Sequence, residues 1–218
     1  MKPYLIIFLF WNFLLSCNSK SEKDEINIIS INEFNNKNTP RKDIPLNKLG
    51  EYDRTYVGMM TLLDTLKFER LDSGCEDFTI RIINNFDESD KLQIVSLKLR
   101  EGFWTGKYYK VQNIKDSSSP QNIVDSNDIT PKISWPSFIK KLITANILTL
   151  PNMETLSGFD KLVADGDLCF FEIASEKRYR FYYYYSPYLM VDWNYKECKN
   201  VIEIISVIKN NIDFHSRR

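Results

Sequence analysis

Aromatic and charged side chains meet near the end of the chain in a pattern that could form a binding surface. Tyrosines fill positions 182–185, and Arg180 stands two residues before them. In a hairpin from Leu168 to Tyr185, a three-residue loop would place one set of side chains on the outward face: Phe170, Glu172, Arg180, Tyr182 and Tyr184. Tyrosine offers a large, stiff contact area with a polar tip, so this face is a candidate binding surface. The same residues also fit a covered face whose hydroxyl groups find internal partners, because tyrosine favours strands.

The register of this hairpin is inferred from its apolar residues. A loop of Glu176, Lys177 and Arg178 places two sets of side chains together on an inward face: Cys169, Phe171 and Ile173 with Phe181, Tyr183 and Tyr185. A two-residue loop would bring Arg180 and Tyr182 onto that apolar face. Because the buried face usually decides the register, the three-residue loop is favoured.

Carboxylates raise the alternative of an envelope hydrolase. Glu172 has aromatic neighbours, which suits a sugar site, but hydrolysis of this kind needs two carboxylates about 5 to 10 Å apart. The sequence places no second carboxylate opposite Glu172. Short acidic runs at 87–90, 125–128 and 165–167 could supply oxygen ligands to calcium. None has the spacing of a known calcium loop, and Asp, Asn and Ser are typical of turns, so we predict no metal and no cofactor.

Motifs for nucleophilic and phosphate chemistry are missing from the sequence. It contains no GxSxG, HExxH, CxxC or glycine-rich phosphate loop. The single histidine, His215, lies in a segment that we expect to fray, which argues against a histidine-dependent nucleophile. Whether the chain is an enzyme stays open, although these absences favour a role without catalysis.

Three cysteines lie in the expected globular part. Cys169 and Cys198 are expected on buried faces, and Cys75 in a turn. Three thiols allow one disulfide at most, and a buried free thiol fits as well as a bridge.

The charge balance excludes one class of partner. The chain has 29 Lys and Arg residues and 29 Asp and Glu residues, which gives a net charge of zero. Such a chain has no long-range field for nucleic acid, so we expect no nucleic-acid partner.

The N-terminus carries the most specific pattern in the sequence. Met1 and Lys2 precede an apolar run from Tyr4 to Leu15, which is too short to span a bilayer but suits the apolar region of an export signal. Leu14-Leu15-Ser16-Cys17 closes the run, and a polar stretch follows. These residues resemble the signal peptide and lipobox of bacterial lipoproteins. The resemblance covers only residues 1 to about 25 and implies cleavage before Cys17, acylation of Cys17 and anchoring to a membrane by the acyl chains.

The resemblance also implies a location in the cell envelope. Asn18 is not the aspartate that marks inner-membrane retention in the best-known sorting rule, which favours the outer membrane, on its periplasmic or surface face. Lys23-Asp24-Glu25 is similar to the acidic signal of some surface-displayed lipoproteins. From these features we predict three segments: a signal peptide at 1–16, an acylated flexible tether at 17–48 and a globular domain at 49–218.

Periodic apolar residues indicate the elements of the globular domain. Spacings of three and four predict three helices. The first runs from Tyr52 to Leu66, the second has Pro136 in its first turn, and the third runs from about Tyr195 to Phe214 with Asn194 and Glu197 as a capping box. Alternation predicts strands at 78–82, 92–100 and 103–111 in addition to the hairpin, with Glu101-Gly102 as a turn and 117–131 as a loop. This order of elements predicts a single α+β domain with a mainly antiparallel sheet and about three helices.

Taken as a whole, the sequence favours a membrane-anchored envelope lipoprotein that acts as a binding or interaction module. Its partner would be an envelope protein or glycan, bound by the aromatic hairpin face or by the loop at 117–131. The alternatives are an envelope hydrolase that uses carboxylates and a structural component of the envelope.

Overall fold

The computed structural model describes residues 30–36, 41–86, 91–114, 121–157, 166–192 and 195–214. The predicted signal peptide and Cys17 lie outside these ranges, as do the acidic run at 87–90 and His215.

One seven-stranded sheet organises the described residues. The strands are β1 (Lys42–Asp43), β2 (Phe78–Asn84), β3 (Gln93–Arg100), β4 (Phe103–Ile114), β5 (Gln121–Asp128), β6 (Leu168–Ala174) and β7 (Tyr179–Tyr185). They lie in the order β1-β7-β6-β2-β3-β4-β5. Only the short β1 pairs in parallel, with β7, and all other neighbours are antiparallel.

Helices cover the sheet from both sides. The described helices are α1 (Arg54–Thr65), α2 (Trp135–Thr144), α3 (Pro187–Asp192) and α4 (Lys196–Asn211), with a 3-10 turn at Met153–Thr155. Residues 30–34 are also helical. This arrangement confirms the predicted α+β class and its mainly antiparallel sheet.

Alternate strand residues enter two separate apolar clusters. On one side, which we call the α1 face, Ile83, Phe170 and Phe181 pack with α1 residues such as Leu63. On the other side, the α4 face, Ile82 and Phe171 pack with α2 and α4. Both sides of the central strands are therefore buried, and β2 and β7 contain almost no exposed position.

The observed hairpin register differs from the predicted one. Ala174 pairs with Tyr179 and Cys169 pairs with Tyr184, which leaves a four-residue loop at 175–178. Arg180, Tyr182 and Tyr184 therefore share the α4 face with Cys169, Phe171 and Ile173, whereas Glu172 lies on the opposite face. The prediction was wrong because it assumed one buried face. With both faces buried, apolar pattern alone does not choose the register.

The segment expected as a loop at 117–131 contains a strand. β5 pairs with β4 from Gln121 to Asp128 and forms one edge of the sheet. Its exposed Asp, Ser and Asn side chains resemble a turn in sequence, but an edge strand tolerates them because only one of its sides is paired.

The expected tether from 17 to 48 is folded wherever the structure describes it. Ile31 and Phe34 are 8% and 4% exposed and belong to the α4-face cluster. Lys42 and Asp43 pair with β7. The boundary at residue 49 was therefore wrong, since the folded part includes residues 30–36 and 41–48.

The turn and helix signals in the sequence predicted local structure more reliably than the apolar pattern predicted the hairpin register. Glu101 and Gly102, with φ of 52° and 84°, form the tight turn between β3 and β4, where both central residues need the left-handed conformation. Pro136 lies in the first turn of α2, as predicted, and Ser134 caps that helix by accepting from the Ser137 amide. α4 begins after Tyr195, which makes no side-chain cap bond, and Asn194 lies outside the described residues.

Candidate functional site

The tyrosines predicted to form a binding surface are buried. Tyr182 and Tyr184 are both 0% exposed. The Tyr182 hydroxyl donates to the Ile147 carbonyl at 2.5 Å, and the Tyr184 hydroxyl donates to the Pro151 carbonyl at 2.7 Å. The covered alternative is therefore the observed one, and no open aromatic face exists at this hairpin.

Arg180 holds elements together beside these tyrosines. Its Nε donates to Asp43 Oδ2 at 2.8 Å, Nη1 donates to the Leu148 carbonyl at 2.7 Å, and Nη2 donates to the Leu150 carbonyl. Arg180 and Arg178 line a cavity of about 430 Å³ between residues 30–34, β1 and the end of α2. Because all three Arg180 nitrogens are engaged, we assign this residue a structural role that ties β1 to β7.

Glu172 lies on the α1 face, away from the other three predicted site residues. Its Oε2 accepts from Arg81 Nη1 at 2.5 Å, and its Oε1 accepts from the Tyr179 hydroxyl at 2.9 Å. The carboxylate is 1% exposed. Burial raises the pKa of the Glu172 carboxyl, while the Arg81 guanidinium and the Tyr179 hydroxyl act in the opposite direction.

Arg81, the partner of Glu172, is the most informative residue of this region. It lies in the middle of β2 with a side chain that is only 4% exposed. Its Nη2 donates to the Glu69 carbonyl at 3.1 Å, and the ring of Phe68 lies over the guanidinium at 5.4 Å. Its Nε is buried and has no hydrogen-bond partner within the part of the chain that the structure describes. Such a buried donor is uncommon and costly.

Arg81 lines an open pocket of about 200 Å³ where α1 ends. We call it the Arg81 pocket. Its other walls come from the segment after α1 and from β3, β4 and β5: Leu66, Lys67, Phe68, Glu69, Ser96, Lys98, Tyr109 and Val124.

The charged groups of the Arg81 pocket favour an anion. Three cations, Arg81, Lys67 and Lys98, face one acidic side chain, Glu69. Lys98 forms an ion pair with Glu69 at 3.1 Å, and Lys67 makes no ion pair with any described residue. The lining residues therefore carry a net positive charge, and a cleft with an excess of positive charge raises the local concentration of anionic ligands.

Aromatic side chains supply the apolar part of the pocket. Phe68 and Tyr109 meet edge to face, with ring centroids 4.8 Å apart and an interplanar angle of 76°. An aromatic wall beside a few donors is the usual make-up of a small-molecule site. The Arg81 pocket can therefore accept an anionic group and hold an apolar body beside it.

Sequence reasoning did not find Arg81, although a signal was present. Arg81 alternates with Ile80 and Ile82, which reads as an outward residue of a half-buried strand. A second charged residue, Glu172, stands in the equally apolar β6. Opposite charges in two strongly apolar strands are a hint of a buried ion pair, because buried charges are normally paired.

Metal and thiol chemistry receive no support from the described residues. Within the described ranges, no group of three or more His, Cys, Asp or Glu side chains is placed to hold a metal ion. Cys75, Cys169 and Cys198 are free thiols, and burial raises the pKa of Cys198 to about 11. Thiols of raised pKa are poor nucleophiles at neutral pH.

Comparisons with known proteins identify no relative. No family model, curated protein or solved structure matches the chain. Across the described residues, no helix has both the length and the apolar character needed to cross a bilayer.

Proposed function

We propose that this chain is a lipid-anchored protein of the cell envelope that binds a small ligand, and that the Arg81 pocket is its binding site. The lipobox-like sequence that ends at Cys17 supports the location, with the outer membrane favoured. The observation that carries the site is the buried Arg81 guanidinium, whose Nε has no partner although it lines an open pocket. No tyrosine of the hairpin is part of this proposal.

The geometry of Arg81 suits binding because the side chain is already fixed. Glu172 and the Glu69 carbonyl hold two of its nitrogens, and β2 lies at the centre of the sheet. A ligand that meets a fixed group does not have to order it, which lowers the entropic cost of binding.

The carboxylates of this region suit a hydrolase less well. Both oxygens of Glu172 accept hydrogen bonds, and Glu172 does not line the Arg81 pocket. The one carboxylate in the lining, Glu69, is paired with Lys98. Acid and base catalysis on a glycoside needs two accessible carboxyl groups across a cleft, and the lining residues supply one.

The location is tested by changing the proposed acylation site. Cys17→Ser should abolish labelling by a fatty-acid analogue and should move the protein out of the membrane fraction. Ser16→Ala, next to the thiol, is the matched control and should leave both properties unchanged. Unchanged labelling of Cys17→Ser would contradict the anchor.

The site is tested by filling the pocket. Val124→Trp adds a bulky side chain to its lining, whereas Asn127→Trp places the same side chain at an exposed position outside it. We expect the small-molecule fraction of an envelope extract to raise the melting temperature of the unchanged protein and of Asn127→Trp, but not of Val124→Trp. An equal rise in all three proteins, or no rise in any, would contradict the proposed site.

A further inference from the structure

We propose that the ligand of the Arg81 pocket is a small aryl carboxylate, with its carboxylate on Arg81 Nε and its ring against Phe68 and Tyr109. This inference rests on the proposed function only in taking the pocket as the ligand site, and it does not depend on the anchor.

The free donor determines the chemistry of the charged end. Arg81 Nη1 donates to Glu172 and Nη2 donates to the Glu69 carbonyl, so Nε is the one guanidinium nitrogen with no acceptor among the described residues. A carboxylate oxygen at about 2.7–2.9 Å would complete its hydrogen bonding with a charge-assisted bond. Ser96 lies in the same lining and is the residue that pairs with Arg81 across β2 and β3, so its hydroxyl is a second donor for the same group.

The burial of Nε adds a second requirement, which is that the ligand carries a ring. Nε has less than 1 Å² of exposed surface, and Phe68 lies over the guanidinium. We expect Phe68 to shift when the carboxylate reaches Nε. A ligand that carries its own ring can replace the stacking that Arg81 loses and can keep an edge contact with Tyr109.

Size and charge limit the ligand further. A volume of about 200 Å³ lies below the usual range of about 300–1,000 Å³ for drug-sized ligands, which points to a single ring. The lining offers three cations, but two of them, Arg81 and Lys98, already have acidic partners. One negative charge matches the remaining Lys67, whereas the second charge of a dianion would have no unpaired cation in the lining and would add to the repulsion from Glu69.

The experiment follows the Nε–Hε signal of Arg81 by NMR in the full chain, labelled with ¹⁵N-arginine and held in detergent micelles. Benzoate is the probe, and benzamide is its neutral match in shape. Acetate lacks the ring, and phenyl phosphate carries a second negative charge. The signal is assigned by its loss in Arg81→Lys, or by its contacts with Phe68 protons if that variant does not fold.

We expect benzoate to shift the Arg81 signal with a Kd of about 1 mM, the scale for a ligand of so few atoms. Benzamide and acetate should shift it at least tenfold more weakly, and phenyl phosphate should bind more weakly than benzoate. Lys67→Gln should weaken benzoate binding several-fold. Lys107→Gln, which removes a charge from the same sheet face outside the pocket, should leave it unchanged.

Each other outcome overturns a stated part of the inference. If benzamide binds as well as benzoate, the ligand does not need a carboxylate. If acetate binds as well, the ligand does not need a ring. If phenyl phosphate binds more tightly, the charged group of the ligand is a phosphate and not a carboxylate. If no probe moves the Arg81 signal while Val124→Trp still blocks the stabilisation by envelope extract, the ligand class is wrong and the site stands. If both experiments fail, the proposed function fails with the inference.

Discussion

At the scale of single residues, the ion pair of Arg81 and Glu172 combines a structural cost with the ligand-binding role that we propose for Arg81. Both side chains are buried and belong to neighbouring apolar strands, β2 and β6, where an isolated charge would strongly destabilise the fold. The pair, the Tyr179 hydroxyl and the Glu69 carbonyl satisfy every polar atom of the two side chains except Arg81 Nε. The cost of keeping that one donor buried makes a ligand acceptor favourable there.

Removal of one member of the pair tests how tightly the two charges are coupled. Arg81→Met should lower the free energy of unfolding by about 3–5 kcal/mol, because Glu172 is left buried without its cation. The double variant Arg81→Met/Glu172→Met should lose less than the sum of the two single variants. Urea denaturation of the four proteins of this cycle measures the difference, and additive losses would show that the two charges are not coupled.

A second pair gives a pH dependence. Arg70 donates to both oxygens of Asp72 at 2.9 and 2.8 Å, and this contact lowers the pKa of the Asp72 carboxyl. A lowered folded-state pKa means that Asp72 adds stability above its unfolded pKa of about 3.9 and loses that contribution as the pH falls through the folded value.

Asp72→Asn tests this direction. It should cost about 1 kcal/mol or less at pH 7, since Arg70 is 40% exposed, and the cost should shrink below about pH 4. Thermal melts of both proteins from pH 3 to 7 measure the difference. Asp64→Asn, whose carboxylate meets the same arginine at an exposed position, is the control and should give a smaller change. A difference that grows on acidification would contradict the assigned sign.

At the scale of elements, the sequence predicted the helices that have one apolar side. α1, α2 and α4 each bury one stripe, so a spacing of three and four residues located them. The strands β2, β3 and β4 were found by alternation or by apolar runs. β5 was missed because its exposed residues 125–128 are polar, and its strand conformation comes from pairing with β4 rather than from its own composition.

The hairpin shows why register is harder to predict than the elements themselves. β6 and β7 are buried on both faces, so either parity places apolar residues in a core. The loop decides: Ser175 accepts from the amides of Lys177 and Arg178 through its hydroxyl, and its own amide donates to the Arg178 carbonyl at 2.8 Å. A serine that starts a turn in this way was the available local signal. The candidate site was missed for the same reason, since Arg81 was assigned to an exposed side of β2.

The docking of α4 is tested by a charge on its buried stripe. Ile205 is 2% exposed within the α4-face cluster, whereas Glu203 is exposed on the same helix. Ile205→Asp should destabilise by several kcal/mol because it buries an unpaired carboxylate, and Glu203→Lys should change stability by less than about 0.5 kcal/mol. Guanidinium denaturation of both variants measures the contrast. Equal midpoints would show that α4 is not packed as described.

At the scale of the whole molecule, residues 30–36 are the described part of the folded domain that lies nearest in sequence to the proposed anchor. Phe34 lies under the guanidinium of Arg178, whose Nη1 donates to the Phe34 carbonyl at 2.8 Å. The Ser175 hydroxyl donates to Asn35 Oδ1 at 2.6 Å. Twelve residues separate Cys17 from Ser30, and twelve residues reach at most about 40 Å. If Cys17 is acylated as proposed, the domain therefore stays within about that distance of the membrane.

The contribution of this segment to the fold is tested at Phe34. The ring contacts Phe78 edge to face at 5.7 Å and the Arg178 guanidinium at 4.8 Å, so its loss leaves a cavity under a charged group. Phe34→Ala should lower the free energy of unfolding by about 3–5 kcal/mol, the usual cost for a buried aromatic residue. Asn32→Ala, an exposed change on the same short helix, should alter it by less than about 0.5 kcal/mol.

Limited proteolysis gives a second measure of the same contact. Trypsin should cut at Arg41 and Lys42 faster in Phe34→Ala than in Asn32→Ala, because β1 pairs with β7 beside the contact that the variant removes. If both variants unfold at the same urea concentration and are cut at the same rate, residues 30–48 are a tether after all, and the folded domain begins near residue 49.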